Sequence, residues 1–161
     1  METTTEALEQ WLVKQLTKRN ASITTAESCT GGLLSGRIVN VSGASEVFNE
    51  SYVTYSDDAK HRILGVSKET LSSVGAVSEE TAAQMAEGAA RAAGAEIALS
   101  TTGIAGPGGQ TDEKPVGLVF IGCHCFGRTV VEKHIFHGNR TEVRNASVES
   151  ALALAKKCLE E

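Results

Sequence analysis

The sequence predicts an α/β fold, a three-layer α/β/α sandwich around a mixed sheet. Helix-like and strand-like segments alternate through residue 102, two strand-like runs then follow directly at 116–126 and 129–136, and a long helical pattern closes the chain at 141–159. Strands alternating with helices imply parallel neighbours covered on both faces, and a hairpin adds antiparallel partners. A chain of 161 residues is expected to form one domain, 1–161.

Leu8, Leu12 and Leu16, with Trp11 beside them, recur every fourth residue, so 5–19 reads as an amphipathic helix. A β-prone run at 22–26 is followed by a helix over 31–40, and 47–55 reads as a second strand. Asp57 and Asp58 are expected to cap a helix that Gly65 ends, and 67–71 forms a short helical turn. Ser78-Glu79-Glu80 opens an alanine-rich helix reaching Ala93 and stopped by Gly94. The strand 95–102 runs into a glycine loop at 103–109, and Gly127-Arg128 separates the two hairpin strands.

The net charge of −5 lacks the basic excess that displaces counterions from nucleic acid. No apolar run approaches a membrane span, and Met1-Glu2-Thr3-Thr4-Thr5 has neither a basic start nor an apolar leader, so a cytoplasmic protein is expected. Cys29, Cys123, Cys125 and Cys158 show no C-x-x-C spacing and are expected as free thiols. Cys123 and Cys125 alternate with His124, which places both on one strand face; small apolar core residues explain them better than a metal does. No metal and no cofactor are expected. The small-residue face at 82–93 is a candidate surface for a homo-oligomer.

Four segments carry candidate chemistry. Ser28 sits where a strand turns into a helix, with Gly31 and Gly32 behind it, so its hydroxyl is presented beside free N–H groups able to hold an oxyanion. Glu27 is adjacent, either to orient a base or hold a substrate hydroxyl, or simply paired locally. Tyr55 and Lys60 straddle a strand-to-helix junction; lysine acts as a base only when neutral, and Ser–Lys pairs are one alternative to Ser–His–Asp. Thr102, Gly103, Ile104, Ala105 and Gly106 open a glycine loop whose backbone can approach a ligand. Arg140 and Arg144, four apart, form a candidate phosphate clamp, with ordinary surface arginines as the alternative. Cys29 competes with Ser28 as nucleophile.

Together these segments resemble the C-terminal domain of the CinA competence/damage-inducible family. The residues carrying the resemblance are Thr25-Ala26-Glu27-Ser28-Cys29-Thr30-Gly31-Gly32, Tyr55-Ser56 with Ala59-Lys60 and Leu64-Gly65-Val66, Gly75-Ala76-Val77-Ser78, the glycine loop from Thr102 to Gly109, and Lys114-Pro115-Val116-Gly117. Asn139 stands where the family often has aspartate, and Gln110 where a further glycine is frequent. The resemblance implies a stand-alone, metal-independent amidohydrolase of pyridine-nucleotide salvage, an NMN deamidase that converts nicotinamide mononucleotide to nicotinate mononucleotide and ammonia. It implies Ser28 as nucleophile activated by Lys60 and Tyr55. The substrate would contact Glu27, Thr30, Gly31 and Gly32, the loop Thr102 to Gly106, and Arg140 or Arg144. The alternatives are a nucleotide-binding or assembly module without turnover, and a hydrolase of a different small amide.

Overall fold

The computed structural model describes residues 5–161. The sequence-based reading of residues 1–4 as lacking a leader lies outside the described residues. The chain runs α1 (Leu8–Arg19), β1 (Ile23–Glu27), α2 (Leu33–Val39), β2 (Tyr52–Val53), α3 (Asp57–Leu64), α4 (Lys68–Ser73), α5 (Glu79–Ala93), β3 (Ile97–Gly103), β4 (Leu118–Cys125), β5 (Arg128–Ile135) and α6 (Arg140–Glu160). The sheet order is β2-β1-β3-β4-β5. β1 is parallel to β2 and β3, while β4 pairs antiparallel with both β3 and β5, so the sheet is mixed as expected.

Alternation along the strands divides the core between two faces. Ile97 and Leu99 of β3 pack with Leu12 and Leu16 of α1, Leu34 and Ile38 of α2, and Leu152 of α6. Ala98, between them, packs the other way with Leu64 at the end of α3, Val66 just beyond it, and Met85 and Ala89 of α5. Ala26, Ala89, Ala90 and Ala98 on this second face let α5 lie close. Ser100 donates to the Ala82 carbonyl at 2.6 Å, and a Cβ on Gly122 would collide with that same carbonyl. Cys123 and Cys125 are both buried in the first face, as small apolar residues.

Four expectations need correction. The run 47–55 pairs as a strand only at Tyr52–Val53 and bridges β1 once more through Phe48; Ala44–Glu46 ahead of it forms a 3₁₀ turn. Ser56, not Asp57 or Asp58, caps α3, because its hydroxyl accepts from the Ala59 N–H. The hairpin turn falls at Phe126-Gly127, where both residues take positive φ (47° and 84°), as a two-residue turn following the right-handed strand twist requires. The small-residue face of α5, expected as an oligomer surface, is consumed internally: Ala82, Met85, Ala86 and Ala89 are fully buried within this chain. Among the described residues, no helix is long and apolar enough to cross a membrane.

Gly88 marks the closest helix approach, since a Cβ there would overlap the Leu64 carbonyl at the end of α3. Helix propensity alone favours alanine over glycine at such a position. We expect Gly88→Ala to destabilise the protein instead, by about 1–3 kcal/mol, because overpacking against backbone outweighs propensity. Thermal or denaturant unfolding measures the sign.

Candidate active site

The carboxyl ends of the three parallel strands converge on one cavity. β1 ends at Glu27 and releases Ser28, β2 ends at Val53 and releases Thr54 and Tyr55, and β3 ends at Gly103 and releases the glycine loop. The chain leaves β1 toward β2 on one side and later returns to β3 on the other, so the cavity lies where the strand order reverses. Such switch points are where open α/β sheets bind ligands. The cavity holds about 290 Å³ and is lined by Ser28, Cys29, Tyr55, Asp57, Lys60, Ala76, Val77, Thr102 to Gly106, Gly108, Gly109 and Arg140.

Lys60 is 1% exposed. Its Nζ lies 2.9 Å from Ser28 Oγ and donates to the carbonyls of Thr54 (2.9 Å) and Tyr55 (3.3 Å). Among the described residues no carboxylate reaches it within ion-pair distance. Burial holds its pKa below that of an ordinary lysine, while the charge of Asp57 and then that of Cys29 pull the other way. Ser28 is nearly buried, at 9% exposed, and its N–H is pinned to the Thr101 carbonyl at 3.0 Å. Burial pushes the Cys29 thiol up to about 11, so at neutral pH it is protonated and a poor nucleophile.

The corner that presents Ser28 is built around the Glu27 carboxylate, which is fully buried. One oxygen accepts from the Thr30 hydroxyl and the N–H groups of Gly32 and Leu34. The other accepts from the Thr25 hydroxyl and from both N–H and hydroxyl of Ser35. This is a carboxylate capping the N-terminus of α2, where free N–H groups favour negative charge. Gly31 and Gly32, at φ 58° and 106°, make the turn that lets the chain double back over it. On the outer side Arg144 donates to the Cys29 and Thr30 carbonyls at 3.0 and 3.1 Å.

These contacts correct several expected substrate contacts. Glu27, Thr30, Gly31, Gly32 and Arg144 do not line the cavity. The Gly31 N–H goes to the Ser28 carbonyl and the Gly32 N–H to Glu27, so neither is free for an oxyanion. The Thr30 hydroxyl is held between Glu27 and Thr101. By contrast Ser28, Lys60, Tyr55, Thr102, Gly103, Ile104, Ala105, Gly106 and Arg140 are brought together around it. Tyr55 is 62% exposed; its backbone carbonyl contacts Lys60, while its hydroxyl accepts from Arg140 at 3.1 Å. Arg140 also donates to the Gly106 carbonyl at 2.9 Å, tying the loop to α6. Asn139 caps α6 and Glu142 bonds back to it, a role aspartate would fill equally.

Asp57 lines the cavity and escaped the sequence reading, which took it for a cap. The available signal was its spacing from Lys60: three residues apart on a helix puts both on one face. The two carbonyls that grip Lys60 leave no sequence signal at all. Among the described residues, no group of three or more His, Cys, Asp or Glu side chains is placed to hold a metal.

Glu27→Gln presents an NH₂ to a ring of donors. We expect it to lower stability by about 2–3 kcal/mol, the scale of lost hydrogen bonds to a buried charge, measured by chemical denaturation.

Comparison with known proteins places this architecture. The family model of the CinA C-terminal domain matches residues 5–159. A CinA-like protein of Kosmotoga olearia is 53% identical over 154 residues, which are 96% of this chain and 37% of that protein. A competence-damage inducible protein of Clostridium acetobutylicum is 55% identical over 146 residues, 91% of this chain and 36% of that one. The chain thus spans a little over a third of the length of these relatives. A solved CinA superfamily protein from Klebsiella pneumoniae superposes with a TM-score of 0.91 at 34% identity, covering 96% of this chain and 97% of that one. The competence/damage inducible protein of Agrobacterium tumefaciens gives 0.88 at 39% identity, covering 98% and 99%. The chain belongs to the CinA C-terminal domain family.

Proposed function

We propose that this chain is a serine amidohydrolase that releases ammonia from the carboxamide of nicotinamide mononucleotide. The observation that carries the reading is the buried amine of Lys60, 2.9 Å from Ser28 Oγ, with two backbone carbonyls as its other partners. A neutral amine has two N–H bonds and one lone pair. With the N–H bonds on the Thr54 and Tyr55 carbonyls, the lone pair is directed at the Ser28 hydroxyl. That is the geometry of a general base on a nucleophile.

Lys60 takes the Ser28 proton as Oγ bonds to the carboxamide carbon. The tetrahedral oxyanion meets N–H donors from the loop after β3. Ala105 and Gly106 line the cavity, and among the described residues their N–H groups have no acceptor. Lys60, now protonated, passes the proton to the departing nitrogen as the C–N bond breaks. Water, deprotonated by the same amine, then cleaves the ester and restores Ser28. Arg140 is the cation available to the 5′-phosphate, since it lines the cavity and Arg144 does not. Tyr55 positions Arg140 through its hydroxyl and Lys60 through its carbonyl.

Ammonia release from nicotinamide mononucleotide tests the reading directly. Ser28→Ala should abolish it, whereas Cys29→Ala should keep most of it. Lys60→Arg retains a positive charge that cannot deprotonate, so kcat should fall by about 10²–10⁴-fold. An assembly module without turnover would release no ammonia yet still bind the nucleotide after Lys60→Ala.

The pH profile carries a sign. Only the neutral amine is active, so kcat/KM should rise with pH as Lys60 loses its proton, with a midpoint below that of a solvated lysine. A profile flat from acid to alkaline pH would remove Lys60 from the base role.

A further inference from the structure

The cavity carries opposite charges on opposing elements. Arg140, at the start of α6, lines one wall and is fixed by Tyr55 and Gly106. Asp57, in the first turn of α3, lines another. Its neighbour Asp58 is paired with Arg62 in the next turn. Among the described residues the Asp57 carboxylate has no hydrogen-bond or ion-pair partner; Ser56 is the cap, and Asp57 adds only its charge to the first turn. Asp57 is an exposed residue of the cavity lining with no ion-pair partner of its own.

We propose that Asp57 is a specificity-determining residue that selects carboxamide substrates whose ring carries a fixed positive charge, with an anionic group reaching Arg140. This rests on reading the cavity as a nucleotide-carboxamide site. A ligand entering the cavity displaces water from Asp57. A neutral ring leaves that carboxylate less solvated and unpaired, which costs binding energy; a cationic ring replaces the lost hydration with a charge contact. Discrimination therefore comes from penalising the uncharged ring as much as from attracting the charged one. There is a second consequence for the base. The negative charge of Asp57 favours the ammonium form of Lys60. A cation seated beside Asp57 offsets that field, so the substrate that fits is also the one that lets Lys60 become neutral.

The test compares two ligands with the same phosphate, ribose and carboxamide: nicotinamide mononucleotide, with its pyridinium ring, and its 1,4-dihydro form, whose ring is uncharged. Dissociation constants are measured on Ser28→Ala protein, which binds without turnover, with and without Asp57→Asn. We expect the cationic ligand to bind more tightly to Ser28→Ala, and the preference to shrink about tenfold once Asp57 is also neutralised, the scale of a partly shielded charge pair. Asp58→Asn should leave the preference unchanged. An undiminished preference in Asp57→Asn overturns the inference, as does an equal loss in Asp58→Asn or failure of both ligands to bind. Asp57→Ser serves if the asparagine variant does not fold. Ammonia release by the unmodified protein separates this from the catalytic reading. Release with an unmoved preference leaves the hydrolase and removes Asp57; a shifted preference without release does the reverse.

Discussion

Holding an amine inside the protein without a carboxylate against it is the constraint on which the rest of this structure turns. Lys60 has for partners two main-chain carbonyls and one hydroxyl. Burial strips the ammonium of its water and no carboxylate lies against it to compensate, which is why its proton affinity falls. Two carbonyls can be offered only by chain that has left the sheet ladder, so β2 must stop at Val53. The helix that returns the amine must then begin within a few residues, and Ser56 starts it. The short edge strand, the serine cap and the buried lysine are one device.

A second device faces it across the cavity floor. Ser28 is useful only if its hydroxyl is held still, and its corner is fixed from inside by Glu27 and from outside by Arg144. Both charged groups act on backbone. Glu27 satisfies N–H groups at the start of α2, while Arg144 satisfies carbonyls of the loop that precedes it. Charge-assisted hydrogen bonds are stronger than neutral ones, and here they rigidify a turn that glycine flexibility would otherwise leave loose. The division of labour is therefore clear: Glu27 and Arg144 build the corner, whereas Asp57 and Arg140 face the ligand space.

Much of this was legible in residues taken in order. The serine corner, the strand feeding the glycine loop and the hairpin all follow from local patterns that the structure repeats. The errors share a physical cause. Glu27, beside a candidate nucleophile, and Arg144, four residues from Arg140, look like ligand contacts in sequence because a charged side chain can pair with substrate or with backbone, and spacing does not distinguish them. Asp57 looked like a cap because Ser, Asp and Asn share that preference; the choice of Ser56 depends on where the helix begins, within a residue or two. The alanine face of α5 looked available because small residues suit any close packing, internal or external.

What the chain order determined alone was the succession of elements and the presence of a serine at a strand-to-helix turn, since periodicity, caps and glycine positions act over a few residues. What only the tertiary structure decided was which polar side chains meet. Ser28 and Lys60 come within 2.9 Å because β1 and β2 are paired in parallel with Glu27 beside Val53. Arg140 joins them because α6 returns across the sheet from the far end of the chain. Register and packing across such separations leave no trace in neighbouring residues.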